Sequence, residues 1–257
     1  MDNELELMSS EMRKFGYSRQ KITNTKSVEE LRNALALWLR QIYNIKGDDC
    51  TVLNKIHKLG ALKCDADANQ LTLKSINYLS TDYKFDEIVH SACKDKLEYL
   101  IGQDIHSQKN NNLVVQHPGS KRIAELHIDS PPTSRYEVVA WVPLVNCYGT
   151  KSFYIIPKQA SRDLLRDYRK GKYSTWDEFK EECKKSMEWI EMEYGNVLFF
   201  SSCLLHGSET NHTNETRWCM NVRFKSLFAP IGMHNALAYY RVLKLGPLTS
   251  LANEFND

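Results

Sequence analysis

The sequence predicts an α+β protein in which a double-sheet β core follows a mainly helical N-terminal part. Three observations support this prediction. Apolar residues recur at helical spacing within the first hundred residues, short apolar or alternating runs dominate after Asn110, and one segment with helical spacing interrupts those runs. Many short strands preceded by helices are typical of two packed β-sheets that are covered by helices.

Residues 1–110 form the predicted helical support. A first helix is expected over residues 27–45, where Ser27 precedes the apolar pattern as a candidate N-cap. The buried face of this helix is predicted to contain Leu31, Leu35 and Leu39. Further helices are expected near residues 50–60 and 84–101.

The β core is predicted over residues 111–228, and residues 229–257 form a C-terminal extension of the same single domain, 1–257. Turn residues such as Pro118-Gly119 and Gly149 separate its apolar runs. The predicted strands cover residues 113–116, 123–128, 136–145, 152–156, 196–200 and 217–228.

An insertion over residues 157–194 interrupts these strands with two helical stretches. The second stretch is predicted to open at Ser174, with Asp177 at the spacing of a capping box. Its apolar residues at steps of three and four are Trp176, Phe179, Cys183, Met187 and Ile190. We favour a packed helix that covers a sheet, and the alternative is a lid over a functional site.

Composition narrows the class of protein. Of the 257 residues, 42% are hydrophobic and 26% are charged, which is typical of globular proteins and not of disordered chains. A net charge of +2, from 34 basic and 32 acidic residues, disfavours nucleic acid or an anionic membrane as the main partner. The seven cysteines are scattered without a C-x-x-C motif, no run of about 18 apolar residues occurs and the first residues are charged. These features predict free thiols and a cytoplasmic protein.

The most informative motif is His127-Ile128-Asp129. Two side chains that are two residues apart near the end of a strand point to one face, so an imidazole and a carboxylate can bind the same metal. His206 is the leading candidate for a third ligand, since it ends another apolar run 79 positions later. Two histidines and one carboxylate leave three positions of an octahedral ferrous ion open for O₂ and a chelating cosubstrate. An H-x-D motif alone is common, but His206 and then Arg217, 11 positions further on, follow it in strand-like sequence.

These motifs, taken in order, allow a family to be named. Residues 116–228 resemble the phytanoyl-CoA hydroxylase-like branch of the Fe(II)/2-oxoglutarate dioxygenases, and within it oxygenases of carbohydrate and aminoglycoside biosynthesis clusters. The shared features are H-x-D, Trp141 in the next predicted strand, Ile156-Pro157 at a strand end, His206-Gly207-Ser208 and Arg217. The resemblance does not extend to the first hundred residues.

The resemblance implies a double-stranded β-helix core, also described as jelly-roll or cupin-like, with iron bound by His127, Asp129 and His206. It also implies that Arg217 pairs with the far carboxylate of 2-oxoglutarate, a task that suits the planar guanidinium fork. Ser208 and Trp141 match family positions that help to hold this cosubstrate. Some relatives have a small hydroxyl residue where this chain has Cys219.

Gln116 lies in the strand before the H-x-D motif. Two interpretations of its side chain have equal weight. It faces the cosubstrate or the substrate, or it satisfies a backbone group at the edge of a sheet.

The implied activity is hydroxylation of a small molecule with O₂, with release of succinate and CO₂ from 2-oxoglutarate, and a sugar or sugar-derived substrate is favoured. The presence of Asp129 favours hydroxylation over halogenation, while desaturation and epimerisation stay open. One alternative substrate class is an amino acid or other natural product. Two further alternatives are a β-barrel binding protein without activity and a metal-dependent isomerase or lyase on a cupin-like barrel.

The stretch RWCMNVRF places two arginines on one face of a predicted strand. Trp218, Met220, Val222 and Phe224 alternate with Arg217, Cys219, Asn221 and Arg223. Arg217 and Arg223 are separated by roughly 20 Å at about 3.3 Å per residue, too far for both to bind one small dicarboxylate. Spacing from His206 favours Arg217 as the anchor and leaves Arg223 for the substrate or a structural ion pair.

Overall fold

The computed structural model describes residues 2–58, 65–121, 123–130, 134–231 and 236–255. The helices within these residues are α1 (Asp2–Phe15), α2 (Lys26–Tyr43), α3 (Asp49–Lys55), α4 (Asp65–Asp82), α5 (Phe85–Ile101), α6 (Lys158–Arg169), α7 (Trp176–Lys184), α8 (Ala236–Tyr239) and α9 (Pro247–Asn253). The strands are β1 (Tyr17–Lys21), β2 (Ile105–Gln108), β3 (Leu113–Gln116), β4 (Val138–Pro143), β5 (Tyr154–Ile155), β6 (Glu188–Trp189), β7 (Asn196–Ser201), β8 (His206–Gly207), β9 (Arg217–Ser226) and β10 (Tyr240–Lys244).

In the described part of the chain the strands form two antiparallel sheets. The large sheet has the order β1-β7-β4-β9-β2-β10, and β3 also pairs with β9. The small sheet has the order β6-β5-β8. An isolated bridge between His127 and His206 joins the H-x-D segment to β8. The two histidines are therefore placed side by side by backbone pairing alone.

The strand β9 has a core face and a polar face, as its alternating sequence predicts. Trp218, Met220 and Phe224 are fully buried in the core that the large sheet shares with the N-terminal helices. The indole Nε1 of Trp218 donates a hydrogen bond of 2.8 Å to the carbonyl oxygen of Leu53 in α3. This contact satisfies the polar atom of a buried tryptophan and fixes β9 against the helical layer.

The insertion packs on the small sheet. Leu164 of α6 and Phe179 of α7 join Tyr154, Ile156 and Leu205 in a second apolar cluster. The prediction of a helix that covers a sheet is thus confirmed for α6 and α7. These helices bury one face of the small sheet, and α6 also contacts α1, where Nζ of Lys158 donates to the carbonyl oxygen of Arg13.

The predicted end and start of the second insertion helix are wrong. α7 ends at Lys184, so Met187 and Ile190 lie beyond it. The N-cap is Thr175 and not Ser174, because the Thr175 hydroxyl accepts from the backbone N–H of Glu178. The Glu178 carboxylate in turn accepts from the backbone N–H of Ser174. The capping interaction therefore exists, one residue later than the spacing of Ser174 predicts.

The three predicted N-terminal helices correspond to α2, α3 and α5. The N-cap of α2 is Thr25 and not Ser27. The predicted strand over residues 123–128 is wrong, because only the bridge at His127 has β pairing there.

The large sheet also contains strands from outside residues 111–228, the predicted β core. β1 and β2 come from the segment predicted as helical support, and β10 comes from the predicted C-terminal extension. The six described cysteines are free thiols. No helix in the described ranges has the length and apolar character that a membrane span requires.

Candidate metal centre

His127, Asp129 and His206 are brought together by backbone hydrogen bonds of the segments that carry them. The backbone N–H of His127 donates to the carbonyl of His206, and the N–H of His206 donates to the carbonyl of His127, both at 3.0 Å. The N–H of Asp129 donates to the carbonyl of Ser202 at 3.1 Å. The H-x-D segment is thereby held against the chain that leads into β8.

Both histidines are oriented in the same way. Nδ1 of His127 lies 2.6 Å from the carbonyl oxygen of Glu125, and Nδ1 of His206 lies 2.9 Å from that of Leu204. A carbonyl oxygen only accepts, so each Nδ1 carries the proton. Each Nε2 is then the atom with the free lone pair, which is the state that a metal-binding imidazole needs.

The distances between the three side chains fit one metal ion. Nε2 of His127 is 3.7 Å from Oδ1 of Asp129, and Nε2 of His206 is 4.0 Å from Oδ2. The three ligand atoms lie within 4.8 Å of one another. Ligands about 2.1 Å from an ion and at right angles to each other are roughly 3 Å apart, so small side-chain rotations close the site around a metal.

The protonation states of His206 and Asp129 suit the same role. Burial, together with the neighbouring His127, lowers the pKa of His206 to about 4, so this imidazole is neutral at pH 7. Burial alone would raise the pKa of the Asp129 carboxyl, but His127 and Arg223 outweigh burial and hold that pKa well below its usual range. The Asp129 carboxylate in turn raises the pKa of His127.

Arg223 contacts the metal-binding carboxylate directly. Its Nη2 donates to Oδ1 of Asp129 at 2.8 Å, and its Nη1 donates to Oε1 of Gln108 at 3.3 Å. The sequence left this arginine for the substrate or a structural ion pair, and the ion pair is what the structure contains. Its partner, however, is one of the three candidate ligands, so Arg223 fixes the orientation of Asp129.

A cavity of about 260 Å³ lies between the two sheets and is lined by two of the three candidate ligands, His127 and His206. Side chains of β3, β4, β7 and β9 contribute to its wall from the large sheet, and β8 contributes from the small sheet. The residues that line it are Asn112, Val114, Ala124, His127, Trp141, Phe153, Phe200, His206, Gly207, Ser208, Arg217, Asn221 and Arg223. This volume is below the range of sites for drug-sized ligands and suits a small dicarboxylate.

One wall of the cavity is aromatic. The ring of Phe200 lies 5.2 Å from that of His206 in an edge-to-face arrangement, and the ring of Phe153 lies 5.0 Å from that of Trp141. The His206 side chain is only 8% exposed, whereas that of His127 is 41% exposed. The site is therefore closed around His206 and open at His127. Sequence reasoning missed both phenylalanines as site residues, because they lie in runs that are apolar on both faces.

Arg217 is buried at the start of β9 and lines the cavity. Its Nη1 donates to the carbonyl oxygen of Ser152. Its Nε has no hydrogen-bond partner among the described residues. A buried guanidinium with spare donors beside a candidate metal site is equipped to bind a carboxylate.

Asn221 lies between Arg217 and Arg223 on the polar face of β9 and also lines the cavity. Its Oδ1 is buried without a hydrogen-bond partner in the part of the chain that the structure describes. The alternating sequence of the strand placed it on the site face, but nothing in the sequence singled it out.

Ser208 and Trp141, which the resemblance assigns to the cosubstrate, lie in the cavity wall. The Ser208 hydroxyl accepts from the backbone N–H of Ala124 at 2.9 Å, and so it also supports the neighbouring loop. Between His206 and Ser208 only glycine fits, because a Cβ at Gly207 would lie 2.5 Å from the hydroxyl of Tyr154. Packing against Tyr154 therefore requires glycine at the centre of the triplet, while His206 and Ser208 on either side line the cavity.

Gln116 is not among the residues that line this cavity. It lies opposite Arg217 in the pairing of β3 with β9 and lines an adjoining cavity that shares Arg217. Its Nε2 donates to the carbonyl oxygen of Glu209 at 2.7 Å. Of the two interpretations given above, the geometry favours the one in which its amide satisfies a backbone group, here in the loop after β8.

Comparisons with known proteins agree with this geometry. The chain matches the phytanoyl-CoA dioxygenase (PhyH) family over residues 63–219, so the expectation that the resemblance excludes the first hundred residues is wrong. A comparison with curated proteins gives no significant match.

Among solved structures, the non-heme alpha-ketoglutarate-dependent epimerase SnoN from nogalamycin biosynthesis is 16% identical, with 90% of this chain and 86% of that chain covered and a TM-score of 0.54. The nickel complex of the non-heme monooxygenase ThoJ is 14% identical, with 96% and 94% covered and a TM-score of 0.54. HygX from Streptomyces hygroscopicus, with iron bound, is 12% identical, with 86% and 87% covered and a TM-score of 0.51.

At these identities the solved structures establish a shared fold, and the family match extends over more than half of the chain. The chain therefore belongs to the phytanoyl-CoA dioxygenase family and is an Fe(II)- and 2-oxoglutarate-dependent oxygenase.

Proposed function

We propose that His127 and His206 bind the iron through Nε2, that Asp129 binds it through one carboxylate oxygen, and that Arg217 binds the far carboxylate of 2-oxoglutarate. The observation that carries this proposal is the pair of imidazoles whose Nδ1 atoms both donate to backbone carbonyls, so that both Nε2 atoms face one buried carboxylate. This donor set leaves three of six positions open on a ferrous ion. Bound iron and 2-oxoglutarate together activate O₂, with release of succinate and CO₂.

The chain's own residues bind and orient the reactants in this proposal. Arg223 holds one oxygen of Asp129 at 2.8 Å and so limits rotation of the carboxylate. Phe153, Phe200 and Trp141 keep water from the His206 side of the cavity. We assign Trp141 and Ser208 to contacts with the cosubstrate, and Gln116 to support of the loop that follows His206.

We also interpret the two sheets as the double-stranded β-helix, or jelly-roll, that the family resemblance implies. Support comes from the cavity, to which Trp141 and Arg217 contribute from the large sheet and His206 from the small sheet. A site between two sheets is where such folds bind small ligands.

The proposed reaction is hydroxylation of a small molecule, with a sugar or a sugar-derived intermediate as the favoured substrate. Asp129 supports hydroxylation, since it takes the position that a halide would need. The substrate preference rests on the resemblance to oxygenases of carbohydrate and aminoglycoside biosynthesis. A natural product of another class is the alternative, and the likeness to SnoN, described as an epimerase from nogalamycin biosynthesis, supports it and keeps epimerisation among the outcomes.

Succinate formation tests the proposed function. The purified protein, supplied with Fe(II), O₂ and 2-oxoglutarate, is expected to release succinate slowly alone and faster with a substrate from a panel of sugars, sugar nucleotides, amino acids and polyketides. Asp129→Ala and His206→Ala should abolish release while the circular dichroism spectrum is unchanged. Lys184→Ala, on the exposed surface of α7, is the matched control. Release that depends on neither iron nor Asp129 would refute the assignment of the ligands.

A further inference from the structure

A second cavity, of about 480 Å³, lies between α6 and the chain that surrounds the candidate metal ligands. We call it the arginine cleft. Its lining residues are Ile128, Ser130, Arg135, Gln159, Arg162, Asp163, Leu165, Arg166, Arg169 and Cys203. None of them lines the metal cavity. The arginine cleft is therefore a separate feature that the iron and 2-oxoglutarate do not explain.

Positive charge is concentrated in the arginine cleft. Four arginines and one aspartate give its lining a net charge of +3, whereas the whole chain has a net charge of +2. Arg166 pairs with Asp163 at 2.9 Å. The other three, Arg135, Arg162 and Arg169, make no ion pair with any residue in the described ranges.

The cleft is more than the solvated face of a helix. Arg162, Arg166 and Arg169 recur at steps of three and four, so α6 presents them on one face. Arg135 comes from a different segment and faces the same concave space. A concave site with convergent charges from two segments is typical of ligand binding, and its volume falls within the usual range for small-molecule sites.

The arginine side chains that line the cleft favour a phosphate group as the ligand. Guanidinium forks match the oxygens of phosphate in pairs, and a phosphate monoester carries close to two negative charges at neutral pH. A single carboxylate would leave most of the cleft's charge unbalanced. Leu165 and Ile128 add an apolar surface against which the rest of a ligand can pack.

We propose that the arginine cleft binds a phosphate-bearing small molecule through Arg135, Arg162 and Arg169. The ligand is either the substrate, held by its phosphate or diphosphate, or a separate effector with the same group. The first case rests on the proposed oxygenase function, and the second does not.

The arginine cleft adjoins the segment that carries a candidate metal ligand. Ile128 and Ser130, which line the cleft, are the neighbours of Asp129 in the H-x-D segment. The backbone N–H of Ser130 donates to the carbonyl of Ser202 at 3.0 Å, beside the corresponding bond from Asp129. A ligand in the cleft therefore packs directly against the segment that supplies a candidate iron ligand.

Binding of pyrophosphate to the full chain without added iron tests the proposal, because pyrophosphate chelates metals. Calorimetric titration is expected to show one site in the unmodified protein. Arg162→Gln combined with Arg169→Gln should weaken this binding by about tenfold or more, since charge-assisted contacts are lost. Arg19→Gln, an exposed arginine on β1 outside the cleft, should change it by less than about twofold.

Two controls make the result decisive. Arg217→Ala should leave pyrophosphate binding unchanged, and a loss of binding in this variant would place the anion in the cosubstrate cavity and overturn the proposal. Unaltered binding in the double variant, or no binding by the unmodified protein at about 1 mM, would overturn it too. Thermal unfolding followed by circular dichroism checks that each variant is folded, as exposed arginine substitutions rarely change stability much.

Succinate assays then identify the source of the phosphate group. A sugar phosphate or nucleoside-diphosphate sugar that is oxidised, and whose KM rises in the double variant, is the substrate. A compound that binds in the cleft and alters succinate release without being consumed is an effector. Failure of every compound to give succinate would count against the proposed function and leave the binding result intact.

Discussion

The assignment of Arg217 and Arg223 to opposite ends of the site can be tested by a crossed pair of substitutions. Both arginines lie on the polar face of β9, six residues apart, which is roughly 20 Å along the strand. Arg223 contacts Asp129 at 2.8 Å, so its end of the cavity is the metal end. In the proposed arrangement a dicarboxylate bound at the metal would extend toward Arg217, whose Nε has no partner among the residues described.

Arg217→Ala should weaken 2-oxoglutarate binding by roughly 30- to 1,000-fold, because a lost charge-assisted, two-pronged contact costs about 2–4 kcal/mol. Its affinity for metal should change by no more than a few-fold. Arg223→Ala should instead weaken metal binding and leave 2-oxoglutarate binding nearly unchanged. Outer partners of metal ligands typically contribute about 10- to 100-fold to metal affinity, and 2-oxoglutarate binding at saturating iron should stay within a few-fold.

Two titrations measure these effects on each variant. Anaerobic Fe(II) titration, or Mn(II) titration as a redox-stable substitute, gives the metal affinity. Calorimetric titration of the metal-loaded protein with 2-oxoglutarate gives the cosubstrate affinity. Arg217→Lys is the matched control, because it keeps the charge and loses the planar fork, and its defect should fall between those of the native protein and the alanine variant. A larger loss of 2-oxoglutarate affinity in Arg223→Ala than in Arg217→Ala would refute the assignment.

Three further predictions concern stability and motion. Lys151→Ala should lower the free energy of unfolding in urea by about 3 kcal/mol, because the fully buried amine bonds Glu215 at 2.8 Å, whereas Lys184→Ala on the surface should change it by less than about 0.5 kcal/mol. Burial lowers the pKa of His57 to about 4, below the unfolded value near 6.5, so its contribution to stability is complete above pH 6.5 and is lost as the pH falls toward 4. His57→Gln should therefore reduce the fall in Tm between pH 7 and pH 5, and an unchanged fall would contradict this. If residues 157–194 cover the site, iron, 2-oxoglutarate and substrate together should protect them from limited proteolysis, and equal cleavage with and without the ligands would leave them a structural cover only.

Features that depend on local pattern were accessible from the sequence. The spacing of His127 and Asp129, the position of His206 after an apolar run and the alternation in β9 all describe side-chain direction over a few residues. Arg217 could be placed on the site face by the same alternation. The structure brings these four residues to one place because the bridge between His127 and His206 joins the H-x-D segment to β8, and β8 in the small sheet faces β9 of the large sheet across the cavity.

Features that depend on distant backbone pairing were not accessible. The strand β1 reads YSRQK, which has no apolar alternation, and it forms because its backbone pairs with β7 from Tyr17 opposite Phe200. The partner of Arg223 lies 94 positions away, and no local pattern predicts that distance. The segment 123–128 is the opposite case. Its sequence pattern predicts a strand, but in the structure only His127 takes part in β pairing.

The two outer strands of the large sheet have a consequence for how the protein can be shortened. β1 covers the free side of β7, and β10 covers the free side of β2. A chain trimmed to the family-matched residues 63–219 would lose both strands and most of β9, including Arg223. Unpaired strands of this kind are templates for intermolecular pairing, so the trimmed protein should aggregate rather than fold into a smaller enzyme. The terminal strands thus complete the backbone pairing of β7 and β2, a role separate from catalysis.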